Sequence, residues 1–237
     1  MSNSWFQFKE FTIQQDKCGM KVSTDACIQG AWTEIPIGSQ CALDIGTGTG
    51  VLALMLAQRG IKLKIDAIEQ DVNAFIQAFE NVRNSPFADN IQLYRADVTD
   101  WISTKVYDLI LCNPPFFQKS LKGADIARNA ARHAETLSPE TLVKVLLKHL
   151  SETGKASIMW PKEEHELFRE LAFEAGLFLH KKLVVFDREN SRISRIIGLY
   201  GKESVDETLA ETLIIKQENG AYSEEFTKLL QPFYLHL

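Results

Sequence analysis

From about residue 40 onward the chain alternates short apolar runs with stretches whose apolar residues recur every three or four positions, the pattern of a parallel sheet covered by helices. Cys41–Ile45 reads as a buried strand, and Val51–Gln58, apolar on nearly every side, as a buried helix closed by Gly60. A second unit follows: a strand over Leu63–Ile68, a helix over Val72–Val82, and a strand over Ile91–Tyr94, with Asn84-Ser85-Pro86 breaking the helix. Tyr107–Cys112 is a fourth strand, which must leave the sheet at Asn113-Pro114-Pro115 because proline cannot continue a central ladder.

Ser138 and Pro139 supply an N-cap and a first helical residue for a helix running to Leu150. Gly154 precedes a strand at Lys155–Trp160, and Pro161 opens a helix through Ala175. Leu177–Phe186 and Arg192–Tyr200 then form a hairpin that is expected to make the sheet's edge antiparallel. Thr212–Lys216 is strand-like and Tyr222–Leu230 is a short helix. The first forty residues are less regular, with Ser23 and Thr24 able to cap a helix from Asp25 to Trp32. The expected organisation is a single domain over 1–237: a cap over the ligand-binding edge (1–40), an α/β core (41–200), and a C-terminal strand and helix (201–237).

Composition narrows the class. Apolar residues at 45 % and charged residues at 24 % are ordinary for a folded globular chain, which excludes disorder and fibrous classes. There is no basic-then-apolar leader pattern and no run of about 18 apolar residues, so the expectation is a cytoplasmic protein without a membrane span. Cys18, Cys27, Cys41 and Cys112 show no Cys-x-x-Cys spacing, which points to reduced thiols and no metal site. A net charge of −5 argues against non-specific nucleic-acid binding by the whole surface, though a local basic patch would suffice for a specific one.

Asp44-Ile45-Gly46-Thr47-Gly48-Thr49-Gly50 lies between the first core strand and its helix, where glycines allow close backbone approach and helix N–H groups face a ligand. It departs from the dinucleotide fingerprint G-x-G-x-x-G, whose third glycine would fall on Val51. Glu69, about 20 residues further on, suits two ribose hydroxyls; Asp71 is the alternative, equally suited to capping the next helix. Asp97 is either an acceptor for an adenine amino group or a loop carboxylate bonded to local backbone. Asn113-Pro114-Pro115-Phe116 joins an amide, a rigid turn and an aromatic ring at the end of a central strand. Asn113 and the Pro114 carbonyl can accept hydrogen bonds from one amino group while Phe116 stacks on its ring.

These motifs, in this order over about a third of the chain, resemble the amino-group-specific class I methyltransferases. That resemblance implies a seven-stranded, mostly parallel Rossmann-like α/β sheet with an antiparallel strand near one edge, and S-adenosylmethionine as cofactor, held by Asp44, Gly46, Thr47, Gly48, Gly50, Glu69, Asp97 and Asn113. An amine conjugated to an aromatic ring is a poor nucleophile, so positioning and electrostatics carry the catalysis, and Asn113, Pro114, Pro115 and Phe116 are the catalytic candidates.

A narrower resemblance runs nearly end to end, to the bacterial tRNA1(Val) adenine-37 N6-methyltransferases. It is carried by Phe8–Gln15 with Met20–Asp25, by Asn113–Phe117, by Arg128–His133 before Leu137, and by Phe233-Tyr234-Leu235. It implies that Lys21, Thr24 and Asp25 lie near the methionine end of the cofactor and that the partner is tRNA; no obligate protein partner is evident in the sequence. Phe116 stands where adenine-specific enzymes commonly have tyrosine and guanine-N2 enzymes have phenylalanine, which leaves a guanine-N2 rRNA enzyme as an alternative. A glutamine-N5 protein methyltransferase is another alternative, as is an inactive cofactor-binding subunit; an NAD-dependent dehydrogenase would not explain the Asn-Pro-Pro motif. RNA-contact candidates are Lys119, Lys122, Arg128, Arg132 and His133, and a second basic group of Lys181, Lys182, Arg188, Arg192 and Arg195; for both, the alternative is a solvated surface. His133 is not required as a base.

Overall fold

The computed structural model describes residues 3–114 and 137–237. Pro115, Phe116, Lys119, Lys122, Arg128, Arg132 and His133 lie outside the described residues. A small hairpin, β1 (Trp5–Gln7) and β2 (Thr12–Gln14), leads to helix α1 (Thr24–Trp32). The α/β units follow as β3 (Cys41–Ile45), α2 (Val51–Arg59), β4 (Lys64–Glu69), α3 (Val72–Arg83), β5 (Ile91–Arg95) and β6 (Tyr107–Cys112). The chain closes with α4 (Pro139–His149), β7 (Leu150–Trp160), α5 (Lys162–Glu174), β8 (Phe178–Arg188), β9 (Ile193–Gly201), β10 (Leu209–Lys216) and α6 (Glu224–Leu230).

The large sheet has the order β10-β8-β9-β7-β6-β3-β4-β5. Among the described residues only β9 runs against the rest, pairing antiparallel with both β7 and β8. Seven strands were expected and eight are present among the described residues. The segment Leu209–Lys216 lies parallel to β8 and extends the sheet beyond the seven-stranded pattern, so the reversed strand sits third from that edge.

Alternation along β6 shows how the sheet divides the core. Leu109 and Leu111 join the cluster formed with α1, α2, α6 and the hairpin, whereas Ile110 and Cys112 join the one formed with α4 and α5. All four are fully or almost fully buried. Both termini contribute to the first cluster: Phe8 bridges to Tyr234, and the Lys9 N–H donates to the Phe233 carbonyl at 2.8 Å.

Four helices begin where a side-chain oxygen accepts an otherwise unpaired backbone N–H. Ser23 accepts from Ala26, Asp71 from Ala74, Ser138 from Thr141 and Ser223 from Phe226. Two elements differ most from the sequence reading at the level of the core. Strand β7 starts at Leu150, ahead of Gly154, with a register irregularity opposite Tyr107 and Leu109. The β1–β2 hairpin gives no alternating signal because each strand has three residues, too short to show a period.

No described helix is long and apolar enough to cross a membrane, and no group of three or more metal-ligating side chains occurs among the described residues.

Candidate active site

The carboxyl ends of β3, β4 and β6 open into a cavity of about 670 Å³, a volume within the range of small-molecule sites. Its walls include Gly46 and Gly48 from the turn after β3, Glu69 from the end of β4, Asp97 and Val98 after β5, and Asn113 and Pro114 after β6. Lys17, Cys18, Gly19 and Met20 close one side. Four stretches spread from Gly46 to Pro114 thus share one space, because parallel strands deliver their carboxyl ends to the same edge.

The turn after β3 is built for backbone exposure. Gly46 and Gly48 take left-handed φ values of 67° and 57°, which strain any residue with a Cβ. The N–H groups of Gly46 and Thr47 both donate to the Ile68 carbonyl, at 2.9 and 3.0 Å, locking the turn to β4. A methyl group added at Gly46 would meet nothing within 4 Å, so backbone conformation requires the glycine and the space above it is open.

Glu69 reinforces that lock. Its Oε2 accepts the Gly48 N–H at 2.9 Å and its Oε1 the Asp71 N–H at 2.9 Å, while the residue is only 9 % exposed. A carboxylate oxygen offers two lone pairs, so each still has one for a ribose hydroxyl. Asp71 itself caps α3. Asp97 Oδ1 accepts both the N–H and the hydroxyl of Thr99 at 2.8 Å, the local-turn arrangement, and the residue also lines the cavity.

Asp44 lies beneath the turn. Its Oδ2 accepts the Thr47 hydroxyl at 2.6 Å and the Ala53 N–H in the first turn of α2 at 3.2 Å. Complete burial pushes its carboxyl up to about 7, opposed by those two bonds. Asp44, Thr47 and Gly50 are therefore supports of the turn and do not themselves line the cavity. Cys18 does, and burial, with Glu69, Asp71 and Asp16 nearby, pushes its thiol up to about 11, leaving it protonated and unreactive near neutral pH.

The residues placed near the methionine end by resemblance stand apart from the walls. Lys21 is exposed and donates to the Asn3 carbonyl at 3.1 Å; Thr24 is exposed at the start of α1; Asp25 pairs with Arg195 at 3.0 Å. The cavity takes instead the preceding residues 17–20. Sequence reasoning missed these, and also Gln77 and Asn81, amides on the buried face of α3. The available signal was two polar residues on the otherwise apolar stripe of an amphipathic helix.

The second basic group is divided. Lys181 is engaged by Glu34 at 2.6 Å and Glu211 at 2.8 Å, and Arg195 by Asp25. Lys182 is half-buried within β8, opposite Gly198. Arg188 and Arg192 are exposed around the β8–β9 turn. Because β8 runs parallel to β6 and β7, that turn projects from the same edge of the sheet as the cavity.

A methyltransferase small domain family model matches residues 33–158. A tRNA1(Val) (adenine(37)-N6)-methyltransferase of Dyadobacter fermentans is 40 % identical over 236 residues, covering 98 % of each chain. One of Trichodesmium erythraeum, similarly named, is 42 % identical over 239 residues and 99 % of each chain. The chain belongs to the tRNA1(Val) (adenine(37)-N6)-methyltransferase family.

Solved structures bear out the class I α/β fold of this family member. A predicted O-methyltransferase of Agrobacterium tumefaciens matches with a TM-score of 0.65 at 16 % identity, over 88 % of this chain and 96 % of the other. A methyltransferase of Pyrococcus furiosus matches with a TM-score of 0.59 at 19 % identity, over 82 % and 90 %. The cofactor of class I methyltransferases fits the residues present. Glu69 offers acceptors for a vicinal diol, the open glycine backbone admits close approach, and Ile68 and Val98 give the cavity apolar walls for a planar base.

Proposed function

We propose that this protein transfers a methyl group from S-adenosylmethionine to N6 of adenine 37 in tRNA1(Val), acting in the cytoplasm. The observation that carries the proposal is the position of Asn113 and Pro114 at the end of β6, lining the same cavity as Glu69 and the glycine-rich turn. In this reading Glu69 binds the ribose, Asp97 the adenine amino group, and the turn of Gly46 and Gly48 lies against the nucleoside; Asp44, Thr47 and Gly50 hold that turn in place. S-adenosylmethionine, when bound, supplies a methyl group already activated on a sulfonium.

The protein's own task is to orient the acceptor. The Asn113 side-chain oxygen and the Pro114 carbonyl accept the two N–H bonds of the target amino group. This draws the nitrogen lone pair out of conjugation with the ring and fixes its direction. The nitrogen becomes cationic as its new bond forms, so its proton leaves easily afterwards and no base need act beforehand. Asn113 is half-buried and Pro114 buried, so a bound base completes the exclusion of water from those acceptors and strengthens their hold on the amine. Pro115 and Phe116 complete the motif in this reading, Phe116 by stacking on the target base.

The remaining roles follow the tRNA assignment. Lys119, Lys122, Arg128, Arg132 and His133, together with Arg192, are assigned to the RNA, while Lys21, Thr24 and Asp25 support the amino-acid end of the cofactor site. The deciding experiment is methyl incorporation from labelled S-adenosylmethionine into unmodified tRNA, followed by nucleoside mass spectrometry, with rRNA and release-factor protein as parallel acceptors. N6-methyladenosine at position 37 is the expected product. Label in rRNA guanine or protein glutamine alone would replace the substrate, and no label in any acceptor would overturn the activity.

A further inference from the structure

Helix α3 carries two primary amides one turn apart on its inner face, Gln77 at 0 % and Asn81 at 2 % exposure. Leucine at either position would bury more apolar surface without requiring a partner, so the hydrogen bonds these amides make must account for them. All of the bonds go to backbone. Asn81 Oδ1 accepts the Gln14 N–H at 2.8 Å, and its Nδ2 donates to the Gln14 carbonyl and to the Thr49 carbonyl, each at 2.9 Å. Gln77 Oε1 accepts the Lys17 N–H at 2.8 Å.

Asn81 therefore serves Gln14 as a neighbouring strand would, and with the same amide group it holds the glycine-rich turn through Thr49. Gln77 catches the chain three residues later, where it becomes the wall formed by residues 17–20. That wall belongs to no helix or strand, so side chains must fix its distance from the rest of the site. The Lys17 ammonium adds an exposed ion pair with Glu80 on the same helix.

We infer that Asn81 and Gln77 are positioning residues for the cofactor, fixing the 14–17 segment and the glycine-rich turn to one helix so that these two parts of the cavity lining keep a set spacing. Neither side chain lines the cavity itself. The inference rests on the reading that the cavity binds S-adenosylmethionine. Among the described residues Gln77 Nε2 has no hydrogen-bond partner, so only its oxygen is needed, and a glutamate that burial keeps protonated can replace it in this role.

The test compares wild-type protein with Asn81→Ala, Gln77→Met and Gln77→Glu. S-adenosylhomocysteine affinity is measured by calorimetry, and kcat and the cofactor KM by methyl transfer to tRNA. Losing these buried bonds is expected to weaken cofactor binding about tenfold or more in Asn81→Ala and about fivefold in Gln77→Met. Gln77→Glu is expected to bind more tightly than Gln77→Met at acidic pH, where its buried carboxyl is neutral, and to lose that advantage as pH rises, and kcat at saturating cofactor is expected to change by less than about threefold in every variant. Unchanged affinity in a folded Asn81→Ala protein, or a fall in kcat with KM unaltered, overturns the inference. Should Asn81→Ala not fold, hydrogen exchange of wild-type protein decides: the Gln14 and Lys17 amides gain protection on S-adenosylhomocysteine binding, and equal exchange with and without it overturns the inference. Wild-type protein that binds no S-adenosylhomocysteine overturns the cofactor reading as well, whereas normal wild-type binding with unaffected variants overturns this inference alone.

Discussion

Glu69 Oε2 accepts the Gly48 N–H at 2.9 Å, tying the end of β4 to the turn that follows β3. One carboxylate thus shapes the turn and still has lone pairs to offer a ligand. The two functions predict a double consequence of its removal. Glu69→Ala leaves the Gly48 and Asp71 N–H groups without their acceptor, which lowers folding stability by about 1–3 kcal/mol. It also raises the cofactor Kd by about tenfold or more, since the ribose contacts go with it. Urea denaturation and calorimetry with S-adenosylhomocysteine measure the two effects separately.

Asn113→Ala separates chemistry from binding. Asn113 is half-buried at the end of β6, where its side chain is assigned to the target amine. Turnover is expected to fall by about 10²-fold or more, the scale of losing one preorganised polar group at a reacting centre. Cofactor affinity should stay within about threefold, because Glu69 and the turn are untouched. A rise in cofactor KM with kcat intact would reverse the assignment.

Two buried groups give stability opposite dependences on pH. Asp44 is pushed up to about 7 by burial, above its ordinary 3.8, so the stability it contributes is full below its unfolded value and is lost as pH rises towards 7. Burial pushes His165 from 6.5 down to about 4, so its contribution is full above 6.5 and is lost as pH falls towards 4. The two slopes oppose each other between pH 4 and 6.5 and partly offset in the wild type. His165→Phe should leave the protein relatively more stable at pH 5 than wild type when each is referred to its own value at pH 7.5. Asp44→Asn should do the reverse. Urea midpoints across pH 4–8 read both.

The basic residues around the final strands should differ in their effect on tRNA. Arg192 is exposed beside a turn on the cavity edge, whereas Lys181 is held by Glu34 and Glu211. Arg192→Ala is expected to weaken tRNA binding and to reduce the slope of log affinity against log salt by about one. Lys181→Ala should leave that slope unchanged. Filter binding of tRNA at several salt concentrations distinguishes the two.

Much of the architecture was legible because it depends on local patterns. Cys41–Ile45 and Tyr107–Cys112 carry continuous apolar runs because both faces of a central parallel strand are buried, and their boundaries match the structure. Ser23, Ser138 and Pro139 mark helix starts because capping is settled within four residues. The edge strand Leu209–Lys216 was half-visible as Thr212–Lys216. Its first four residues are exposed, so no burial pattern marks them, and only pairing with β8 makes them strand.

The core α/β order, the glycine-rich turn, Glu69 at the end of its strand and the Asn-Pro-Pro exit can all be read from the residues alone, since each is a short-range pattern with a local physical cause. Tertiary contacts were needed to bring residues 17–20 into the cavity wall, to set Asp44 beneath the turn, and to make Gln77 and Asn81 hold the N-terminal segment. Those outcomes depend on which backbone N–H and carbonyl groups meet across some 60 residues of intervening chain, and an amide side chain looks the same in sequence whether it faces water or holds a distant strand.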